Sequence, residues 1–186
     1  MRIISGTNRG LKLKAVPGKN TRPTSDKVKE SLFNMIGPYF SGGTCLDLFA
    51  GSGSLGLEAI SRGIEHATFI DKNGLAIKTI HDNIHKLRAE DKTEVIRVDA
   101  LRGLQLLSEK DIAYSLIFID PPYEVRNINN YLKEITKNKL LAKNGLIIYE
   151  HLSTNDTIYN ESLSIVKEAK YGHTQITIFN MPSYKS

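Results

Sequence analysis

The 186 residues are enough for about one domain, and a content of 40% hydrophobic and 24% charged residues excludes an intrinsically disordered chain. A single cysteine, Cys45, excludes a disulfide framework, and the lack of a secretory signal or of an apolar run of ~20 residues predicts a cytoplasmic protein without a membrane span. The net charge of +5 is unevenly distributed along the chain, which suggests a polyanionic partner.

The positive charge belongs to the N-terminal segment. Residues 1–29 contain eight basic residues and one acidic residue, a net charge of +7, whereas the rest of the chain contains 17 basic and 19 acidic residues, a net charge of −2. Such an asymmetry is typical of a protein that binds the phosphates of a nucleic acid, although a solvated basic face without a partner would have the same charge distribution. We expect the leading contacts with the polyanion to be Arg9, Lys12, Lys14, Arg22 and Lys27.

The chain then alternates between strand and helix patterns. Residues 2–16 predict a short hairpin or an extended arm. The capping residues at 24–26 and an apolar stripe predict a helix that ends near Ile36, before Gly37-Pro38. Further strands are predicted at 44–48, 66–70, 94–98, 115–119 and 145–150, and further helices at 53–62, 74–87, 101–108 and 127–138.

This alternation predicts an α/β fold of the Rossmann-like type, with a mostly parallel sheet that helices cover on both faces. The last two apolar runs, 163–169 and 174–179, are separated by too few residues for a helix. They therefore predict a hairpin that closes the sheet. We find no internal repeat and expect one domain over residues 1–186.

The first candidate site is a glycine-rich turn between a strand and a helix. It reads Asp47-Leu48-Phe49-Ala50-Gly51-Ser52-Gly53-Ser54-Leu55-Gly56. Small residues let the backbone turn tightly and approach a ligand, and the helix N-terminus offers free N–H groups. Ligands of open α/β sheets bind at such strand ends. The predicted cofactor contacts in this turn are Asp47, Ala50, Gly51, Ser52 and Gly53.

Two acidic residues end the next two predicted strands. Asp71, followed by Lys72, is placed to accept the hydroxyls of a ribose, and Asp99, followed by Ala100, to reach an adenine edge. The glycine spacing with an acid 20 positions after Gly51 also matches a dinucleotide fingerprint, so the spacing alone leaves S-adenosylmethionine and a nicotinamide cofactor open. The short chain favours S-adenosylmethionine.

The segment Asp120-Pro121-Pro122-Tyr123, directly after an apolar strand, is the most specific signal. An exocyclic amino group of a nucleic-acid base is planar, and its lone pair must be turned towards the methyl group. The Asp120 carboxylate and the Pro121 carbonyl can each accept one amino hydrogen, and Tyr123 can stack on a base withdrawn from its helix. This segment predicts a methyltransferase acting on an exocyclic nitrogen and has no role in hydride transfer.

The five histidines do not predict a metal site. His81 and His85 lie four residues apart on a predicted helix, but no acidic residue of a zinc motif accompanies them. We therefore expect no metal.

These motifs resemble the RsmD family of 16S ribosomal RNA guanine-N2 methyltransferases. The resemblance includes the glycine turn, the Asp120–Tyr123 segment and Tyr171-Gly172, and it extends from the first residues to about residue 180. Its family-specific part is N-terminal: Arg2-Ile3-Ile4-Ser5-Gly6, Arg9-Gly10 and the block from Arg22 to Asn34. Lys29 occupies a position where arginine is common in the family.

The resemblance implies the seven-stranded class I methyltransferase fold, with the last strand antiparallel and S-adenosylmethionine as methyl donor. It implies a guanine of small-subunit ribosomal RNA as substrate, presented in a ribosomal particle. We expect a monomer in which residues 1–36 form an RNA-binding extension and residues 37–186 form the catalytic core. Asp120, Pro121 and Tyr123 would then be the catalytic residues.

Two other functions remain compatible with the sequence. The Asp120–Tyr123 segment recognises only an amino group, so adenine N6 of RNA or DNA is an alternative target. A nucleic-acid-binding or assembly module that has lost catalysis is the second alternative, although the intact acidic residues count against it. A nicotinamide oxidoreductase is a distant third.

Overall fold

Seven strands form one sheet in the computed structural model, which describes residues 1–18, 24–153, 158 and 160–183. The strands are β1 (Thr44–Asp47), β2 (His66–Asp71), β3 (Thr93–Arg97), β4 (Tyr114–Ile119), β5 (Leu141–Leu152), β6 (Ser164–Tyr171) and β7 (Thr174–Asn180). Their order across the sheet is β3-β2-β1-β4-β5-β7-β6. The pairs from β3 to β5 are parallel, and β7 is antiparallel to both β5 and β6.

The helices follow the strands along the chain and cover both faces of the sheet. They are α1 (Asp26–Ile36), α2 (Ser54–Ser61), α3 (Gly74–Leu87), α4 (Ala100–Ser108) and α5 (Ile128–Lys137), with a short 3₁₀ helix at Glu90–Lys92. Alternate strand residues face opposite sides, so the core has two halves. One half packs against α1, α2 and α3 through residues such as Phe33, Leu57 and Ile80, and the other packs against α4 and α5 through Leu104 and Leu132.

The N-terminal arm forms a one-bridge hairpin, Arg2 opposite Lys12, against α2 and α3. Ile3 and Leu13 are buried in the same core half as these helices. The backbone of Lys14 exchanges hydrogen bonds with the buried Asn83 amide, and that amide also donates to the Ser52 carbonyl at 2.9 Å. The arm is therefore packed onto the core rather than extended into solvent.

The predicted seven-stranded, mostly parallel sheet with an antiparallel last strand is confirmed, and each predicted helix and strand lies close to its predicted place. The predicted closing hairpin is present, but its antiparallel strand β7 inserts between β5 and β6. β5 begins at Leu141, four residues before the prediction, because Leu141 pairs with Tyr114 ahead of an irregularity in the β4–β5 register. None of the helices in the described part of the chain is long and apolar enough to cross a membrane.

Candidate active site

Four parallel strands bring the predicted site residues to one edge of the sheet. Asp47 and Asp71 end β1 and β2, and Asp99 and Asp120 follow β3 and β4. Because these strands are parallel and adjacent, their carboxyl ends meet at the same edge. The structure thus assembles residues from four separate segments into one candidate site.

The glycine turn combines three glycines with different environments. Gly51 (φ +56°) and Gly53 (φ +81°) have left-handed backbones that disfavour other residues. A Cβ at Gly51 would point into open space, whereas one at Gly53 would meet the Phe69 ring at 3.3 Å, and one at Gly56 would meet it at 2.5 Å. Gly51 therefore leaves room for a ligand, while the other two let α2 pack against β2.

The Asp71 carboxylate is oriented by two backbone N–H groups. Its Oδ2 accepts from Gly51 at 2.9 Å and its Oδ1 accepts from Asn73 at 2.9 Å. Asn73 in turn caps α3 by accepting from Leu75 and Ala76. The carboxylate is thus fixed beside the glycine turn, with one lone pair on each oxygen left for a ligand. The adjacent Lys72 is exposed.

Asp47 is a buried carboxyl group. Its Oδ2 accepts the backbone N–H of Gly56 at 3.1 Å. Burial and, after it, the nearby Asp71 raise the pKa of Asp47 to about 7, although the Gly56 bond opposes the shift. Asp47 therefore connects the end of β1 to α2 and changes its charge near neutral pH.

The third carboxylate of the site, Asp99, follows β3 and precedes α4. Asp99 caps α4 by accepting from Leu101 at 3.1 Å, and Ala100 is buried beneath it. Burial and, after it, the Asp99 carboxylate raise the pKa of Tyr131 on α5. The Tyr131 and Phe49 rings are in edge contact at 5.3 Å. Two aromatic residues that the sequence did not single out therefore adjoin this end of the site.

The Asp120–Tyr123 segment leaves the sheet between β4 and α5. Asp120 and Pro121 are half-buried, and a turn closes with the Val125 N–H donating to the Pro122 carbonyl at 3.0 Å. The Tyr123 side chain is 73% exposed, as a stacking platform for a base requires. Burial, then Glu150, then Asp47 raise the pKa of Asp120 well above its ordinary value.

Glu150 joins the site although the sequence did not indicate it. β4 and β5 are paired with Ile119 opposite Tyr149, so Asp120 and Glu150 follow in neighbouring positions. The Thr24 hydroxyl, just before α1, contacts both carboxylate oxygens of Glu150 at 3.2 and 3.0 Å. The strand-end rule that selected Asp47, Asp71, Asp99 and Asp120 would also have selected Glu150, the last residue of the predicted strand 145–150.

The predicted polyanion contacts have different environments. Lys14 pairs with Asp82 at 3.1 Å, whereas Arg9, Lys12 and Lys27 are exposed and form no salt bridge within the described residues. Lys27 lies in the first turn of α1, three residues from Thr24. Arg9 lies near the far end of α2, where Thr7 and Asn8 bond to Ser61. Arg22 falls outside the described residues.

Comparison with known proteins identifies the family. The family model described as "Conserved hypothetical protein 95" matches residues 1–180. A Bacillus subtilis protein named "Putative rRNA methyltransferase YlbH" is 44% identical over 96% of this chain and 98% of its own. The Haemophilus influenzae "Ribosomal RNA small subunit methyltransferase D" is 34% identical over 92% of this chain and 89% of its own. The chain belongs to the ribosomal RNA small subunit methyltransferase D family.

A solved structure of the same family supports the fold. The Escherichia coli protein described as "Putative methyltransferase yhhF" superposes with a TM-score of 0.84, at 32% identity and with 97% of each chain covered. The resemblance predicted from the sequence is confirmed, as is the predicted class I methyltransferase architecture.

The N-terminal block that is typical of the methyltransferase D family forms a buried charge cluster in this member. Glu58 on α2 lies between Lys29 (3.4 Å) and Arg62 (2.8 Å), and all three side chains are buried. Lys29 Nζ also donates to the Arg2 carbonyl and to Ser54 Oγ at 3.0 Å. Lys29 therefore fixes the arm to α2 and is not available to a polyanion.

Metal-binding clusters are not found in the described ranges 1–18, 24–153 and 160–183, where no three histidine, cysteine or acidic side chains converge in a geometry that could hold an ion. His85 instead contacts the exposed Glu90 at 2.8 Å. His151 contacts the Thr177 hydroxyl at 2.9 Å, and its ring stacks on Tyr149. The partner of His85 thus lies on the 3₁₀ helix, and the partners of His151 lie on β7 and β5.

Proposed function

We propose that this protein uses S-adenosylmethionine to methylate the exocyclic N2 of a guanine in 16S ribosomal RNA. One observation carries the proposal: the glycine turn, Asp71, Asp99 and the Asp120–Tyr123 segment share one edge of the sheet. Family membership supports ribosomal RNA as the substrate, because the relatives are named for it. The choice of guanine N2 rests on the resemblance to the RsmD family.

The donor would occupy the space in front of Gly51. The residues there fit it: the open space at Gly51 admits a ligand, and the Asp71 carboxylate is oriented beside that space with free lone pairs for ribose hydroxyls. Asp99 and the backbone of Ala100 would receive the adenine edge, while Asp47, Ala50, Ser52, Gly53 and Lys72 complete the surroundings. When bound, the donor supplies an electrophilic methyl group.

The target amino group would lie against Asp120. The Asp120 carboxylate and the Pro121 carbonyl accept its two hydrogens, which turns the nitrogen lone pair away from the ring and towards the methyl group. The exposed Tyr123 ring stacks on the extruded base. The prolines stiffen the loop that presents these acceptors, so little reorganisation is needed when the base arrives.

Residues 1–36 would grip the RNA and residues 37–186 would form the catalytic core of a monomer. Lys27 lies in the first turn of α1, the helix whose start contacts the site through Thr24, so it would bind phosphates close to the target base. Arg22 would add a phosphate contact from the same basic segment. A ribosomal particle would present the guanine, since one domain touches few nucleotides. Such a substrate would make the protein cytoplasmic.

The deciding experiment offers purified protein and methyl-labelled donor to naked 16S RNA and to small subunits lacking the modification. We expect label in N2-methylguanine, with more in the subunits. Label in N6-methyladenine, or only in DNA, would instead identify the alternative amino-group target. Donor binding without transfer to any of these substrates would favour a non-catalytic assembly module.

Variants of the Asp120–Tyr123 segment test the mechanism. Asp120→Ala should lower the single-turnover rate by about two to three orders of magnitude, because one preorganised acceptor is lost. Tyr123→Ala should weaken RNA binding by about 1–3 kcal/mol through lost stacking. Both variants should retain donor affinity in calorimetry. Wild-type turnover by a folded Asp120→Ala variant would refute the amino-group mechanism.

A further inference from the structure

Glu150 adds a second carboxylate to the proposed base-binding loop. Its strand, β5, is paired in parallel with β4, and the register places Tyr149 opposite Ile119. The next residue on each strand is therefore Glu150 beside Asp120. On the other side of β5, Glu150 is paired with the apolar Ile176 of β7.

Thr24 holds this carboxylate in place. Its hydroxyl lies 3.2 Å from Oε1 and 3.0 Å from Oε2 of Glu150, across 126 positions of sequence. Burial raises the pKa of Glu150, and the Thr24 hydrogen bond opposes that shift because a hydroxyl donates to the charged form of a carboxylate. Thr24 therefore stabilises the charged form of Glu150 next to Asp120.

Two further carboxyl groups lie near Asp120. Asp47 lies on the β1 side and Glu150 on the β5 side, and no salt bridge in the described part of the chain involves any of the three. Burial, Glu150 and Asp47, in that order, all raise the pKa of Asp120.

We infer that Glu150 is a positioning residue that acts through Asp120: its carboxylate, held by Thr24, makes Asp120 a competent acceptor for the proton that the target amino group must lose. This inference rests on the proposed function. In the reaction the nitrogen lone pair forms a bond to the methyl carbon, and the carbon–sulfur bond breaks with its electron pair going to sulfur. The nitrogen becomes cationic and transfers one proton to the Asp120 carboxylate, which later releases it to water.

The Thr24–Glu150 bond brings the family-specific N-terminal segment to the sheet edge beside Asp120. A weak base suffices, because an amine of this kind is acidic once it has been alkylated. An aspartate beside another anion is a stronger base than an ordinary aspartate. A bond that served only to fasten the start of α1 would stabilise the fold without changing how Asp120 binds a proton. Titration of Asp120 therefore separates the two roles.

The first test is a carboxyl carbon-13 NMR titration of the protein alone, with the Asp120 signal assigned from Asp120→Asn. In Glu150→Gln the Asp120 midpoint should fall by about one pH unit or more, since a like charge is removed. Thr24→Val, which lets Glu150 take up a proton, should give a smaller fall. Thr24→Ser keeps the hydroxyl and Asp111→Asn removes an exposed carboxylate elsewhere, so both should leave the midpoint unchanged.

An unchanged Asp120 midpoint in folded Glu150→Gln and Thr24→Val would overturn the inference, even if both variants lose stability. The second test measures single-turnover methylation of small subunits lacking the modification as a function of pH. The acid limb should follow the NMR midpoint and shift to lower pH in Glu150→Gln. If Glu150→Gln methylates the subunits with the same acid limb of the pH–rate profile as the wild type, only the role of Glu150 is overturned. If the wild type methylates nothing at any pH, the proposed function is overturned.

Discussion

Asp47 and Asp71 end neighbouring strands, yet their carboxylates meet different surroundings. Asp71 accepts two backbone N–H groups at the surface of the glycine turn, whereas Asp47 is 2% exposed and accepts one. Desolvation disfavours the charged form of the buried carboxyl group. Each additional N–H donor would stabilise that charged form. At the scale of single residues, burial therefore outweighs the one N–H donor and raises the pKa of Asp47 to about 7.

The raised pKa of Asp47, about 7, predicts a pH-dependent stability. Between about pH 4 and 7 the unfolded chain loses the Asp47 proton while the folded chain keeps it, so stability falls as pH rises through this window and levels off above it. Relative to Asp47→Asn, the wild type should lose up to about 4 kcal/mol of unfolding free energy. Urea denaturation at a series of pH values measures the difference.

The exposed carboxyl variant Asp91→Asn is the control for this experiment and should follow the wild type at each pH. Parallel stability curves for the wild type and Asp47→Asn would mean that Asp47 titrates like an ordinary aspartate.

A methyl group at Gly51 should obstruct the donor. Gly51→Ala places a Cβ in open space at the proposed donor site and strains a left-handed backbone. Gly172→Ala, in the β6–β7 turn, introduces the same strain at φ +60° and also meets open space, so it is a matched control. Calorimetry should show S-adenosylmethionine affinity reduced at least about tenfold, or about 1.4 kcal/mol, in Gly51→Ala only. Equal affinity in both variants would remove the donor from this place.

At the scale of elements, the arm, α1 and α2 are joined through one side chain. Glu58 accepts the backbone N–H groups of Ile4 (2.9 Å) and Ser5 (3.1 Å) while it pairs with Lys29 and Arg62. Burial lowers the pKa of Lys29, and Glu58 opposes that effect. The Arg62 guanidinium lies 4.8 Å from the centre of the Phe33 ring, which partly compensates for its unpartnered Nη2.

Glu58→Gln should leave two buried cations without their anion. We expect a loss of about 3–5 kcal/mol in unfolding free energy, measured by urea denaturation. Faster amide hydrogen exchange at Ile4 and Ser5 would show that the arm is released. Glu65→Gln, an exposed carboxyl variant just after α2, should change neither measurement. A loss below about 1 kcal/mol in Glu58→Gln would mean that the cluster adds little to arm docking.

At the scale of the whole molecule, the sheet separates two sets of basic residues. The arm, with Arg9 and Lys12, packs on the face covered by α1, α2 and α3, and Lys27 lies on α1 itself. Lys133 and Lys137 lie on α5, which covers the other face. Removal of residues 1–20 would also remove Ile3 and Leu13 from the core, so point substitutions test the charge more cleanly.

The triple substitution of Arg9, Lys12 and Lys27 by alanine should weaken binding to 16S RNA and flatten its salt dependence. Three lost phosphate contacts should reduce the slope of log affinity against log salt by about 2 to 3. Alanine substitution of Lys133, Lys137 and Lys139 gives the same net charge as the first triple variant and should leave the slope unchanged. Filter binding across a salt series measures both, and an equal decrease in the two variants would leave only the effect of net charge.

Local patterns in the sequence were sufficient to predict the elements and the edge of the sheet that carries the site. Hydrophobic periodicity marks each strand and helix, and parallel strands necessarily collect their carboxyl ends at one edge, so Asp47, Asp71, Asp99 and Asp120 could be assigned together. The order of β6 and β7 in the sheet could not, because a hairpin pattern is the same whichever of its strands pairs with β5.

The sequence by itself determined the fold class, the family and the strand-end acids, since each depends on residues that are close in the chain. Only the tertiary structure decided that Thr24 holds Glu150, that Lys29 is buried against Glu58, and that Gly51 rather than Gly53 leaves room for a ligand. These features depend on contacts between residues 16 to 126 positions apart. Such contacts follow from how helices and strands pack, which no local periodicity records.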